Sequence, residues 1–583
     1  MRNHPGPAVY PSRLLLVLAL LLLGPSCQQK PATTEQNVQP STPTYMEMML
    51  PHLQQWGFDN RDPIVDLAGY RMSFQVFTKE NTYGIAANKF TAKQDGNKWS
   101  LHATEFAWAA QQERAPGMLD VLAEKLDDGR VLLNIKAKAQ KPVRGVKATL
   151  YGLPGEQTGW SADAHLVPVS EKGTLYQYPT WSGGMPLLLL ADAQGKGIAF
   201  TSVDLQARPK RFAVTKEKAG NTVELIFEED ARHWAPELTA ATWEIKPDTT
   251  LQQVVDARLA FLEAKGGLKK WEDRTDMPAW VRDISLVVSI HGMHWSGYIF
   301  NDYAKSLETV RWVTQRIEPK RVLVFLPGWE GRYYWDYGFF QPDPRMGGPQ
   351  GFKKMIAEMH ALGVHVMPMF GGNCTNAWFP GYEKFGPQSL LVSGTGWIDQ
   401  GNGPDWDMFR NRDTGWQQWL NPGAPRWQDH LVGQIDGLLS EDKFDGVFFD
   451  TQPSPNNDAR YNTLAGLHTI CDRLRSRHPD LLLATESSND LSISFVPVNH
   501  TPGGVNNWPG RYVRRFAYLA EAEPGRGSTG VEEDGYLPYD TKKLNQDYDW
   551  PTVSFVEDTL QVAPDKVQEV IDRAKQYAQT KLK

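Results

Sequence analysis

Two rhythms of apolar residues divide the chain. Over residues 46–250, apolar and polar positions alternate in short runs: RMSFQVF, RVLLNIKAKA, VKATLYGL, GIAFTSVDL and TVELIFEE. A period of two turns one face of a strand to a core and the other to water. Turn-forming clusters such as KQDGNK, LDDGR, LPGEQTG and AQGKG separate the runs. Many short strands with frequent turns predict an antiparallel β-sandwich domain. The stretch LQQVVDARLAFLEAKGG then sets Leu251, Val255, Leu259 and Leu262 at helical spacing, with Gly266 and Gly267 as a stop. Residues 251–279 are therefore expected to form a helical connector.

From residue 280 the rhythm changes. ISLVVSI, VLVFLP, VHVMPMF, GVFFD and LLLAT are apolar almost throughout, as strands buried on both faces of a parallel sheet are. Helical patterns lie between them. Phe352, Met355, Ile356 and Met359 share one face, as do Trp427, Leu431, Ile435 and Leu438, and Leu464, Leu467, Cys471 and Leu474. Only Gly363 separates one helix from its next strand, whereas the stretches that follow strands are long. This order predicts an α/β fold, a (β/α)8 TIM-like barrel over residues 280–583. Two later strands are expected in RFAYLA and TVSFVE, and residues 490–551 follow neither period.

The N-terminus has its own pattern. Arg2 and Arg13 precede LLLVLALLLL, and GPSC follows. A basic segment, a short apolar core and a small-residue site predict a lipoprotein-type signal peptide over residues 1–27, with Cys27 as the lipidated residue. A plain secretory signal with an incidental cysteine is the alternative. Residues 28–45 are polar and rich in Pro and Thr, and are expected to be a disordered tether. The expected location is outside the cytoplasm, lipid-anchored to a bacterial cell envelope and facing the periplasm or the cell surface.

Composition narrows the partners. The 583 residues carry a formal net charge of -7, so no basic surplus attracts nucleic acid. The 21 Trp and 20 Tyr suit a protein that stacks flat rings on sugars. Besides Cys27 there are only Cys374 and Cys471, too few for a disulfide framework. No CxxC or HExxH spacing appears, so no metal site or cofactor is expected. Oxygen-donor calcium sites leave no such spacing, and calcium stays open.

In such barrels, chemistry sits beyond the C-terminal ends of the strands. The five ends carry His291 and His294; Trp329, Glu330, Arg332, Tyr334 and Asp336; Asn373, Asn376 and Trp378; Asp450 and Gln452; and Glu486. Two carboxylates on consecutive strands, Asp450 and Glu486, are the pair that glycosidic-bond hydrolysis requires. His294, Trp329, Tyr334, Asp336, Asn373, Trp378 and Gln452 are the candidate substrate-binding residues. Each has a blander role open to it: a strand-end Asp can cap or pair, and a Trp can be core.

The segment from VLVFLPGW to LLLATESS resembles glycosidase-like barrels of bacterial exported proteins, distantly akin to the endo-α-N-acetylgalactosaminidase and α-amylase barrels. The resemblance implies an aspartate nucleophile after the fourth strand and a glutamate acid/base after the fifth. Asp450 in FDGVFFDTQ and Glu486 in LLLATESS match that placement. The α-amylase arginine two residues before the aspartate is replaced by Phe448. The function expected is a lipid-anchored, exported glycoside hydrolase, retaining, acting on an oligo- or polysaccharide. The alternative is a surface protein that binds glycan without cleaving it.

Overall fold

One strand of 23 residues, Val131–Leu153, organises the first half of the chain. Its first half pairs with Glu113–Lys125 on one side and Thr242–Thr250 on the other. Its second half pairs with Tyr70–Thr78 and Gly220–Glu228. RVLLNIKAKA and VKATLYGL are thus one continuous strand, not two. At Gly145 a Cβ would meet the Phe227 carbonyl oxygen at 2.4 Å, so only glycine lets the neighbouring strand approach there. The result is a large antiparallel sheet. Its inward residues, including Phe74, Leu133, Val146, Leu225 and Trp243, form one core. The computed structural model describes residues 62–160, 166–179, 184–294, 297–332, 334–392, 416–453, 456–500, 508–516 and 549–582. Cys27, the signal peptide and the tether lie outside the described residues.

Helix α1 (Leu251–Lys265) follows directly. It starts at a capping box: Thr250 accepts from the Gln253 amide while the Gln253 side chain accepts from the Thr250 amide. Eight parallel strands come next: β1 (Leu286–Ile290), β2 (Val322–Leu326), β3 (His365–Gly371), β4 (Gly446–Asp450), β5 (Leu482–Thr485), β6 (Val498–His500), β7 (Arg514–Phe516) and β8 (Thr552–Phe555). Each pairs with the next as far as β7, and β8 pairs back with β1. Between β7 and β8 the barrel is nearly closed by the bridge of Arg515 with Asp549 and the Trp550 amide on the Arg515 carbonyl, 2.7 Å.

The expected helix after every strand is present only in part. Helices Tyr303–Thr314, Gly348–Leu362, Pro425–Asp442 and Thr463–Arg477 follow β1 to β4, and Pro564–Lys581 follows β8. After β5 and β6 the described residues hold only the short 3₁₀ turns Ser492–Ser494 and Trp508–Arg511. Helix α1 covers that gap. Its Val255, Leu259 and Leu262 share one apolar cluster with Ile493, Trp508 and Tyr512 of the barrel. Leu187 and Leu189 of the antiparallel sheet complete the same cluster. The segment expected to be a connector is therefore part of the barrel's outer wall.

Candidate active site

The barrel interior is plugged by rings. Phe325 of β2, Phe448 of β4, His500 of β6 and Phe516 of β7 meet with centroids 4.8–6.1 Å apart. Burial pushes His500 down to about 3, so it is a neutral ring in this floor. Side chains alternate along a strand, so Asp450, two residues after the inward Phe448, also points inward, just above the floor.

The ladder between β4 and β5 places Glu486 beside it. Phe449 pairs with Thr485, and the Glu486 amide continues the ladder to the Phe449 carbonyl at 3.1 Å. Asp450 and Glu486 each follow directly on that last pair, at the neighbouring C-terminal ends of two adjacent strands. The chain then turns sharply. Thr451 takes a positive φ of 63° and aims its amide at Glu486 Oε2, 2.8 Å away. The Ser487 amide donates to the Gln452 carbonyl, 3.0 Å, so the two carboxylate segments are bonded to each other.

Tyr337, from the long loop after β2, donates its phenol to Asp450 Oδ2 at 2.5 Å. Burial pushes the phenol up, so it stays protonated and remains a donor. Its ring needs glycine opposite: a Cβ on Gly371 would lie 2.2 Å from it. At Gly372 a Cβ would lie 2.5 Å from Gln452, and its amide donates to the Asp450 carbonyl at 2.9 Å. The Gly-Gly pair that ends β3 is thus what lets Tyr337 and Gln452 close around Asp450.

Behind this pair lies a buried acid. Glu330 is 3% exposed, and neither carboxyl oxygen has a hydrogen-bond partner among the described residues. Burial pushes it well above the usual glutamate range, and the Asp336 and Asp450 charges add to the shift. Asp336 is pushed up to about 6, mainly by burial, and accepts the Arg332 amide at 2.6 Å. Among the described residues no group of three or more His, Cys, Asp and Glu is placed to hold a metal ion.

No protein-family model matches the chain, and no curated protein matches it in sequence. Solved structures do match. The GalNAc complex of NagBb, an α-N-acetylgalactosaminidase from Bifidobacterium bifidum, superposes with a TM-score of 0.62 at 12% identity, over 89% of this chain and 93% of that one. Its Gal-NHAc-DNJ complex gives 0.63 at 13%, over 88% and 89%. The ligand-free form gives 0.58 at 13%, over 89% and 94%. The chain shares its fold with NagBb. At such identity the likeness is one of fold.

Of the residues singled out in the sequence, the structure gathers Asp450, Glu486, Asn373 and Gln452. Asn373 is fully buried, and its Oδ1 accepts from the Thr451 hydroxyl. Tyr334 joins through Tyr337, ring to ring at 5.3 Å. Asp336 belongs to the acidic group of Glu330. Trp378 stands apart, 64% exposed, edge-on to Trp335, which also packs on Trp416 and under Arg332. His294 packs with Phe300 and His291 at the end of β1. Trp329 is corrected: it is 2% exposed, stacks on Phe352, and gives its indole N–H to the Met369 carbonyl. It is core, because β2 buries it under the following helix. Tyr337 lies in the run YYWDYG, residues 333–338, and nothing in that aromatic run distinguishes it from its neighbours.

Proposed function

We propose that the protein is an exported, lipid-anchored glycoside hydrolase that acts with retention. In the first step Asp450 bonds to the anomeric carbon as the glycosidic C–O bond breaks, and Glu486 gives its proton to the leaving oxygen. In the second, Glu486 takes a proton from water, whose oxygen displaces Asp450 from the sugar. The observation that supports this reading is the bond from the Thr451 amide to Glu486 Oε2, 2.8 Å, which ties Glu486 to the residue next to Asp450. The phenol of Tyr337 holds Asp450 in orientation, and the dry floor of rings strengthens every charge interaction above it.

The likeness to an α-N-acetylgalactosaminidase directs the choice of substrate to α-linked galactose-type sugars, with N-acetylgalactosaminides first. The test is a panel of p-nitrophenyl α-glycosides with wild type, Asp450→Asn and Glu486→Gln. Loss of turnover in both variants, with folding intact, is expected. Full activity in either ends the assignment. Product anomers followed by NMR decide retention.

A second reading has one observation in its favour. The exposed Trp378, packed on Trp335, is a platform that can hold a sugar ring without any chemistry. Glycan binding without release of nitrophenol by wild type supports that reading instead.

A further inference from the structure

The antiparallel sheet touches the barrel at two places that matter for the carboxylates. The first is Asn457, on the segment that follows Asp450. Its side-chain amide donates to Glu228 Oε1 at 2.8 Å and to the Glu229 carbonyl at 3.0 Å, and its Oδ1 accepts the Ala231 amide at 2.8 Å. Both donors of that side chain and one acceptor site of its oxygen are spent on the sheet domain. The second is Asp490, four residues after Glu486. Its Oδ1 accepts from the Tyr178 phenol at 2.7 Å, its Oδ2 from Arg258 Nε at 2.8 Å, and its amide donates to the Gly184 carbonyl at 3.1 Å. Tyr178 and Gly184 belong to the sheet domain and Arg258 to α1. Asp490, Tyr178 and Asn457 are all buried.

Between the two contacts lies a small polar cleft lined by Arg208, Asp230, Asn457, Asp458 and Asn489. Its charged lining is already engaged: Arg208 with Asp204 and Glu229, Asp230 with Arg232, and Asp458 with the Val392 and Tyr461 amides. The cleft is thus a seam between two clamps, its charges already paired.

Resting on the hydrolase reading, we infer that the antiparallel domain is a positioning element of the active site: through Asn457 and Asp490 it fixes the two segments that carry Asp450 and Glu486. The two segments are themselves bonded, Thr451 to Glu486 and Ser487 to Gln452. A clamp on either one therefore restrains both carboxylates. Catalytic groups displaced by about 1 Å can cost roughly a hundredfold in rate. The domain is in this view no separable sugar-binding module.

The experiment uses the full chain in four forms: wild type, Tyr178→Phe, Asn457→Ala, and Phe74→Leu. Phe74 lies in the sheet core and is not itself a clamp residue, so its variant reports general destabilisation of the domain. Two quantities are read: deuterium uptake of the segments 446–458 and 482–492, and kcat and KM on p-nitrophenyl α-N-acetylgalactosaminide. The clamp variants should raise uptake in both segments and lower kcat about tenfold with KM within about twofold, while Phe74→Leu does neither. Unchanged uptake in both clamp variants overturns the inference, as does an equal rise in Phe74→Leu. Should wild type release no nitrophenol from any α-glycoside, the hydrolase reading fails by itself. Uptake then still decides whether the sheet domain restrains the two segments.

Discussion

Tyr337 and Asp450 meet phenol to carboxylate at 2.5 Å, inside the barrel mouth and out of water. A hydrogen bond to a buried charge contributes about 1.5–3 kcal/mol. Tyr337→Phe removes that donor and keeps the ring on Gly371 and Phe340. The expected result is a fall in kcat/KM of roughly 10- to 100-fold, with the far-UV spectrum unchanged. Steady-state kinetics beside wild type check it. Unaltered kcat/KM means that the phenol does not orient Asp450 for the proposed reaction.

Glu330 predicts a dependence on pH. Its folded pKa is raised above the usual 4.5 by burial, with Asp336 and Asp450 adding. A raised acid stabilises the fold fully below its unfolded pKa, and that stability is lost as pH rises through the folded value. Asp336, raised to about 6, acts in the same direction between 3.8 and about 6. Wild type should therefore lose thermal stability as pH climbs above about 4.5. Glu330→Gln keeps the shape and cannot ionise. Its Tm should equal wild type near pH 4.5 and exceed it at pH 8. Parallel Tm curves for the two proteins would sink the idea.

How far the sequence could be read follows from what each element buries. Strands β1 to β5 are enclosed on both faces and so appear as apolar runs, and their ends located Asp450 and Glu486. Strand β6 is only Val-Asn-His, and β7 is Arg-Arg-Phe. Polar residues inside a barrel carry no period that marks them as strands. Helix α1 was legible as a helix, but its task was not. It covers the part of the barrel where the described residues after β5 and β6 hold only short 3₁₀ turns, and nothing in its own residues says so. The same limit hid the clamps, since Tyr178 and Asp490 are 312 residues apart. Trp329 and Trp378 read alike in sequence. Only the packing of Phe352 and the Met369 carbonyl separates the buried ring from the exposed one.

Barrel closure rests on a charge pair. Arg515 meets Asp549 through Nε at 2.7 Å and a terminal nitrogen at 2.9 Å, both side chains buried. Removing one partner leaves the other charged, buried and alone, which costs about 3–5 kcal/mol. Asp549→Asn should lower the urea midpoint accordingly. Replacing both with apolar residues, Arg515→Met with Asp549→Leu, should recover most of the loss. If the double variant is as unstable as the single, the pair does more than neutralise itself, and the barrel depends on its two parallel hydrogen bonds.

At the opposite end of the strands, Asp445 joins β3 to β4 through its carboxylate. Oδ2 accepts the Val366 amide at 2.8 Å and meets His360 Nε2 at 2.8 Å, and Oδ1 lies 3.5 Å from His365 Nδ1. His365 in turn stacks on Trp280 at 3.9 Å. The bond to Asp445 raises the pKa of His360 above 6.5. Burial works to raise Asp445, but its bonds to His360 and His365 outweigh it and hold the carboxyl below 3.8. The histidine's contribution is complete below pH 6.5 and fades as pH rises through its folded value. The aspartate's is complete above 3.8 and fades as pH falls through its own. The pair is therefore strongest between pH 4 and 6.5. Asp445→Asn should cost about 1–3 kcal/mol at pH 5.5 and less at a pH well above 6.5, where the contribution of His360 fades. Urea midpoints at the two pH values test this, and an equal loss at both would show that the Val366 amide, not the histidine, is what Asp445 serves.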